Sequence, residues 1–166
     1  MPERRLIHIE NTKFIYLTNF SGDPSRDRFG SNARKANIII PDIMQARQLI
    51  DEEFNIRMTS PRPGEEEGFV PEYFTTIKVN YNTSWPPKIY LISGSAEPRL
   101  LDEETIGELD MCRIRNVDVT LNPYRSPNAS KGSFYVRTMY VTQDLEDDPF
   151  ANKYWSNDDE PPFDYE

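Results

Sequence analysis

Aromatic and basic side chains recur together at the two-residue spacing that places them on one face of a β-strand. Lys88 and Tyr90 form one such pair, Tyr135 and Arg137 form another, and Lys78 lies on the polar face of its own strand. Flat rings can stack on unpaired bases, and cations attract a phosphate backbone. This combination is therefore the chemistry of single-stranded nucleic-acid binding.

Further candidates for the same chemistry lie in the first predicted strand, in the loops and in the last hairpin. Alternation places Tyr16 and Phe20 on one face of their strand, and Trp85, between Ser84 and Pro86, suits a mobile stacking residue. The full candidate set is Tyr16, Phe20, Arg26, Arg28, Arg34, Lys35, Lys78, Trp85, Lys88, Tyr90, Tyr124, Arg125, Lys131, Tyr135 and Arg137. The alternative, that several of these rings fill a core short of Leu and Val, stays open at this point.

The residue types needed for most enzyme mechanisms are scarce. His8 is the only histidine and Cys112 the only cysteine in 166 residues, which excludes an internal disulfide and a Cys/His zinc site. Neither residue has a partner in the sequence pattern for nucleophilic catalysis, and no glycine-rich phosphate loop with a lysine occurs. The acids of residues 102–110 suit a solvated surface better than a metal-dependent nuclease. We predict a protein that is not an enzyme and has no metal site.

The net charge of −9 is concentrated at the C-terminus. Residues 144–166 contain nine acidic residues against Lys153 alone, and the rest of the chain has 18 basic and 19 acidic residues. A nearly neutral body with an acidic tail can still bind a polyanion. We predict one nucleic-acid-binding domain over residues 1–143 and a disordered acidic tail over residues 144–166.

Short alternating or apolar runs between Pro, Gly and Asn indicate a mainly β domain. Asp42 is a predicted N-cap for one helix with an apolar stripe from Ile43 to Ile50. The pattern predicts strands or extended segments at residues 13–20, 33–40, 54–58, 73–81, 88–92, 113–121 and 133–142. These elements fit a small antiparallel β-barrel of the OB type with one capping helix, and a β-sandwich is the competing architecture.

Several of these segments resemble phage-encoded single-stranded DNA-binding proteins. The similar stretches are residues 34–41 (RKANIIIP), residues 74–81 followed by PPKI at 86–89, residues 109–125, and residues 131–142 (KGSFYVRTMYVT). The resemblance implies an OB fold, no cofactor, and binding of single-stranded DNA with little sequence preference during replication, recombination or repair.

The same resemblance implies a role for the acidic tail. Such proteins end in acids and a terminal or near-terminal Phe, and here Asp158, Asp159 and Glu160 precede Phe163. Three residues follow Phe163, and Tyr165 among them is a second aromatic candidate. We predict that the tail screens the DNA site and docks replication or recombination proteins, and a tail that serves only solubility is the alternative.

No signal peptide and no transmembrane segment is recognisable in the sequence. We therefore expect the protein to be located in the cytoplasm of an infected host cell. A β-rich structural or interaction module of a virion or replisome is the alternative from another class. The sequence does not decide whether the protein forms a homo-oligomer. It also leaves open the preference between DNA and RNA.

Overall fold

The computed structural model describes residues 5–94 and 97–144, and within these ranges the chain is mainly β-structure with one α-helix. The strands are β1 (Ile7–Thr12), β2 (Phe14–Asn19), β3 (Arg34–Ile40), β4 (Ile56–Met58), β5 (Tyr73–Val79), β6 (Lys88–Ile92), β7 (Arg99–Leu101), β8 (Ile114–Tyr124) and β9 (Ser133–Gln143). The α-helix, α1, is Ile43–Asp51, and 3-10 turns cover Pro24–Arg26 and Ile106–Met111. No helix within the described ranges is long and apolar enough to span a bilayer.

The sheet curves back on itself because one bent segment supplies both of its ends. Its path is β1-β8-β9-β5-β3-β2, and β1 and β2 follow each other directly in the chain. At the bend, the Ile39 amide donates to the Lys13 carbonyl at 3.1 Å, and the Thr12 hydroxyl donates to the Ile39 carbonyl at 2.6 Å. Asn11 has a φ of 54° beside a shift in the β1–β8 register, which marks a bulge. The predicted mainly β fold with one helix is confirmed, and the bend brings together the two ends of an open sheet, as in small barrels of the OB type.

Two strand pairs differ from the predicted antiparallel arrangement. β9 runs parallel to β5, with Lys78 opposite Tyr135, and parallel to β6, with Tyr90 opposite Tyr140. Parallel neighbours must be joined by a crossover, and here β9 returns to both strands only after the β8–β9 hairpin. The sheet is therefore mixed, since long-range topology rather than local alternation sets strand direction.

The core lies between the inward faces of the strands and one side of α1. Ile38, Ile77 and Phe134 are completely buried in it. The predicted cap is confirmed, because the Asp42 carboxylate accepts from the amides of residues 44 and 45 at 3.0 and 3.3 Å. Only Ala46 and Leu49 of the helix are buried. The predicted apolar stripe is thus too wide.

The strand β1 is missing from the sequence predictions. Its signal was present, because Ile7 and Ile9 are buried while His8 and Glu10 are exposed. The last hairpin loop is shorter than predicted, since β8 extends through Pro123 to Tyr124. The predicted tail beyond Asp144 lies outside the described residues.

Candidate nucleic-acid interface

A row of outward-facing side chains crosses three neighbouring strands. Lys35 on β3 is in register with Lys78 on β5, and Lys78 is in register with Tyr135 on β9. The residues beside them, Ala36 and Ile77, are buried, so alternation directs this row to the outer face. The Lys78 ammonium lies 6.0 Å from the centroid of the Tyr135 ring. The row therefore combines two cations with a ring.

Two clefts, which we call together the groove, meet this row at Lys35 and at Lys78, which are in register with each other. One, of about 640 Å³, is lined by Tyr16, Lys35 and Arg57 among others. The other, of about 570 Å³, is lined by Lys78, Tyr124 and further residues of the β8–β9 loop. The Tyr124 ring meets the Tyr135 ring edge-on, with centroids 5.5 Å apart. Exposed rings thus lie toward both ends of the groove, with cations between them.

Arg57 is a member of the groove that the sequence analysis missed. Its guanidinium carbon lies 4.8 Å from the Phe74 ring centroid, and the Tyr16 ring meets the same ring edge-on at 5.4 Å. Phe74 is buried under these two groups, whereas Tyr16 is 59% exposed. Phe74 therefore supports Tyr16 and Arg57, which form the accessible surface at this point of the groove. The alternation Ile56-Arg57-Met58 in the extended segment could have revealed Arg57.

The prediction for Phe20 is wrong. Phe20 is completely buried and packs edge-on against Phe14 with centroids 5.2 Å apart. Tyr16 has a φ of 64°, and the β2–β3 register shifts between Ile15 and Asn19. This irregularity breaks the alternation, so Tyr16 and Phe20 no longer share a face.

The loop before β3 carries an exposed ring and a constrained cation. Phe29 is 86% exposed, with the Arg28 guanidinium carbon 5.6 Å from its centroid. Asp27 accepts from the amides of Phe29 and Ser31 at 2.8 and 2.9 Å and pairs with the Lys35 ammonium at 2.6 Å. The hydrogen bond from Lys35, followed by those two amides, lowers the pKa of Asp27 to about 2.

Three of the predicted arginines hold the structure together. The Arg26 Nε donates to the Thr18 carbonyl at 2.8 Å and lies 3.4 Å from the Asp110 carboxylate. The Arg34 guanidinium donates to the carbonyl of residue 20 at 2.6 Å. Arg125 donates to the carbonyl of residue 52 and lies 4.3 Å from the ring centroid of residue 54. Their donors are partly used by the protein itself.

The candidates near β6 lie apart from the groove. Tyr90 packs edge-on against Tyr140 with centroids 4.9 Å apart, and Lys88 is opposite Thr138 farther along β9. Trp85 is 89% exposed in the β5–β6 connection. None of Trp85, Lys88 and Tyr90 lines either cleft of the groove.

The remaining candidates divide in the same way. Lys131 is exposed and lines the second cleft. Arg137 is exposed on β9, between Tyr135 of the groove and Tyr140 on the β6 side, where the β8–β9 register shifts. The predicted tail residues Asp158, Asp159, Glu160, Phe163 and Tyr165 lie outside the described residues.

The environments of Cys112 and His8 do not favour nucleophilic catalysis. Burial, and secondarily the charge of Glu108, raises the pKa of the Cys112 thiol, which disfavours the nucleophilic thiolate. The His8 Nδ1 lies 3.0 Å from the Thr120 hydroxyl. Within residues 5–94 and 97–144, no three His, Cys, Asp or Glu side chains are grouped as a metal site would need.

A protein family and two solved structures are similar to this chain. A family model described as a putative phage ssDNA-binding domain matches residues 3–160. A C-terminally truncated single-stranded DNA-binding protein from bacteriophage Enc34 is similar at 12% identity and a TM-score of 0.49, over 87% of this chain and 94% of that chain. The single-stranded DNA-binding protein gp2.5 of bacteriophage T7 is similar at 7% identity and a TM-score of 0.40, over 87% and 97%. Among curated proteins, none matches the chain.

Proposed function

The chain belongs to the family of phage ssDNA-binding domains, and from this premise we propose that it binds single-stranded DNA along the groove with little sequence preference. The row formed by Lys35, Lys78 and Tyr135 is the observation that carries the proposal. Cations in register with a ring suit a strand whose phosphates and bases alternate along its length.

The proposed path of the bound DNA runs across the β-strands β2, β3, β5 and β9. Neighbouring strands lie about 4.8 Å apart, so the three spacings between Tyr16 and Tyr135 amount to about 14 Å. A short stretch of DNA can therefore reach both rings at once, which agrees with the small site sizes of OB domains. Lys78, between the two rings, is placed to contact the backbone that joins the stacked bases.

Sequence tolerance follows from the kind of contact. Every base has a face that can stack on Tyr16 or Tyr135, and every nucleotide carries the same phosphate. Neither contact depends on the identity of the base. The role that we propose is the protection of single-stranded DNA during phage replication, recombination or repair, without catalysis and without a cofactor, in the cytoplasm of the infected host.

We assign the acidic tail two functions. It screens the cations of the groove when DNA is absent, and its aromatic residues Phe163 and Tyr165 dock replication or recombination proteins. The support for both is compositional, since the tail combines most of the net negative charge with aromatic residues.

Fluorescence anisotropy of a labelled oligo-dT tests the DNA site. The Tyr135→Ala variant should weaken binding by about 1–3 kcal/mol, the usual contribution of one stacked base. Tyr90→Ala is the matched control, because it removes a ring of similar exposure whose partner is Tyr140 outside the groove. Absence of binding by the wild type at low salt would refute the proposed function. Loss of affinity only in Tyr90→Ala would show that the DNA site lies on the β6 side rather than in the groove.

A further inference from the structure

Three polar side chains in the first cleft of the groove form a closed hydrogen-bonded set, which we call the polar triad. The Thr76 hydroxyl donates to the Asn37 Oδ1 at 2.6 Å, and the Arg57 Nη2 donates to the same Oδ1 at 3.2 Å and to the Thr76 hydroxyl oxygen at 2.8 Å. A guanidinium cannot accept a hydrogen bond, so the Asn37 atom facing it must be the carbonyl oxygen. This requirement fixes the orientation of the Asn37 amide.

The groups of the triad that are left over are mainly donors. Among the described residues, no hydrogen bond uses the Asn37 Nδ2 or the Nε and Nη1 of Arg57. The carbonyl oxygen of Asn37 already receives two bonds, and the Thr76 hydroxyl, which both donates and accepts within the triad, keeps a single lone pair. A ligand that reaches this part of the groove therefore meets more N–H groups than acceptors and satisfies them best with acceptor oxygens.

The triad lies beside the exposed ring at this end of the groove. Arg57 and Tyr16 contact the same Phe74 ring, and Tyr16, Asn37, Arg57 and Thr76 all line one cleft. A base stacked on Tyr16 therefore directs one of its edges toward the triad. The chemistry of that edge then decides whether the donors are satisfied.

We propose that the polar triad binds carbonyl oxygens on the edge of a stacked base and so favours thymine over cytosine. Thymine has a carbonyl on each side of N3, whereas cytosine has one carbonyl and, at the other position, an exocyclic amine, and an amine that faces the donors leaves both sides without an acceptor. Guanine is expected to be accepted through its O6 carbonyl, and adenine is disfavoured like cytosine. This inference rests on the proposed function and adds a modest base preference to a sequence-tolerant site.

Phosphate is the other source of acceptor oxygens on DNA. Homopolymeric oligonucleotides of equal length distinguish the base carbonyls from the backbone phosphates. Oligo-dT and oligo-dC carry the same backbone, so the ratio of their affinities reports on the bases. Asn37→Asp replaces the Nδ2 donor by an acceptor oxygen of the same shape. We expect the ratio of oligo-dT to oligo-dC affinity to fall about fivefold, as for the loss of one hydrogen bond.

Two further variants complete the test. Asn37→Ala removes the donor without adding charge and should lower the same ratio. Asn55→Asp adds an equal charge in the second cleft, where Asn55 is exposed, and should leave the ratio unchanged. Thermal denaturation of each variant establishes that the fold is retained.

The outcomes distinguish this inference from the proposed function. If the wild type binds neither oligonucleotide at low salt, the proposed function fails and the inference fails with it. If both oligonucleotides bind and the ratio is unchanged in Asn37→Asp and Asn37→Ala, the base preference alone is refuted. A parallel fall in both affinities with a shallower salt dependence would then assign the triad to phosphate.

Discussion

The Asp27 carboxylate lies 2.6 Å from the Lys35 ammonium, so the groove contains an anion bound to one of its own cations. The Asp27 side chain is 4% exposed, whereas that of Lys35 is 34% exposed. Lys35 can therefore reach a ligand from the open side while Asp27 holds it from below. A phosphate that binds at this point must share Lys35 with Asp27.

Asp27→Asn should strengthen DNA binding by releasing Lys35. The two loop amides donate to one oxygen of Asp27 and Lys35 contacts the other, so an Asn carbonyl can keep the loop bonds. We expect a gain of a few-fold in oligo-dT affinity and a salt dependence steeper by about 0.7, one additional phosphate contact on a single strand.

The control for that variant removes the same charge elsewhere in the loop. Asp23→Asn retains an acceptor for the Ser25 amide and leaves the pair of Asp27 and Lys35 intact. An equal gain in both variants would show that net charge, rather than the release of Lys35, is responsible. Titrations over a range of salt concentrations measure both quantities.

Acid should disorder the loop in a defined range of pH. The pKa of Asp27 is lowered from 3.8 to about 2 by its bonds to Lys35 and the loop amides, so the folded loop favours the carboxylate. Its contribution to stability is complete above about pH 4 and is lost as the pH falls toward 2. The amide NMR signals of Phe29 and Ser31 should shift in this range. In Asp27→Asn the same shifts should be absent.

Asp110→Asn should destabilise the fold by about 2 kcal/mol. The Asp110 carboxylate accepts from the Thr18 hydroxyl at 2.7 Å and from the amides of Phe20 and Ser21 at 2.8 and 2.9 Å, and its side chain is 2% exposed. In Asp110→Asn, an NH₂ group replaces one carboxylate oxygen. This NH₂ donor must then face one of these three donors or the Arg26 guanidinium. Urea denaturation measures the free energy of unfolding.

Glu104→Gln is the control for the Asp110 variant. Glu104 is exposed in the same chain segment, and a surface substitution of this kind changes stability by less than about 0.5 kcal/mol. Similar losses in the two variants would contradict the role assigned to Asp110.

Gly132→Ala should damage the end of the groove formed by the β8–β9 loop. A Cβ on Gly132 would lie 2.7 Å from the Phe54 ring, which is buried and stacked on Phe134 with centroids 4.7 Å apart. Overpacking of this kind costs about 1–3 kcal/mol. Thermal denaturation tests the expectation, with the exposed Ser130→Ala in the same loop as the control. An unchanged melting temperature in Gly132→Ala would show that Phe54 can move aside.

Truncation after Asp144 should increase affinity for single-stranded DNA. It removes eight acidic residues and one lysine, while the Asp144 amide keeps its bond to the Arg113 carbonyl at 2.7 Å. Removing a competing polyanion raises affinity most at low salt, where charge is least screened. Weaker binding by the truncated chain at low salt would refute the screening function of the tail.

Much of the secondary structure could be predicted because it depends on local patterns. Alternation placed β5, β6 and β9 close to their observed bounds, and the cap at Asp42 follows from its own side chain and the next few amides. The pairing of aromatic and basic residues likewise predicted a protein that binds single-stranded nucleic acid, and the chain belongs to such a family. Residue type and spacing were sufficient for these features, since each acts over a few residues.

The tertiary structure decided which of these residues form one surface. Tyr16 is exposed and Phe20 is buried because a positive φ and a register shift interrupt β2, and neither feature has a marker in the two-residue period. Lys35, Lys78 and Tyr135 meet only through pairing between strands distant in sequence. Local alternation assigns a side chain to a face, whereas its neighbours on that face depend on strand order, direction and register across the whole sheet.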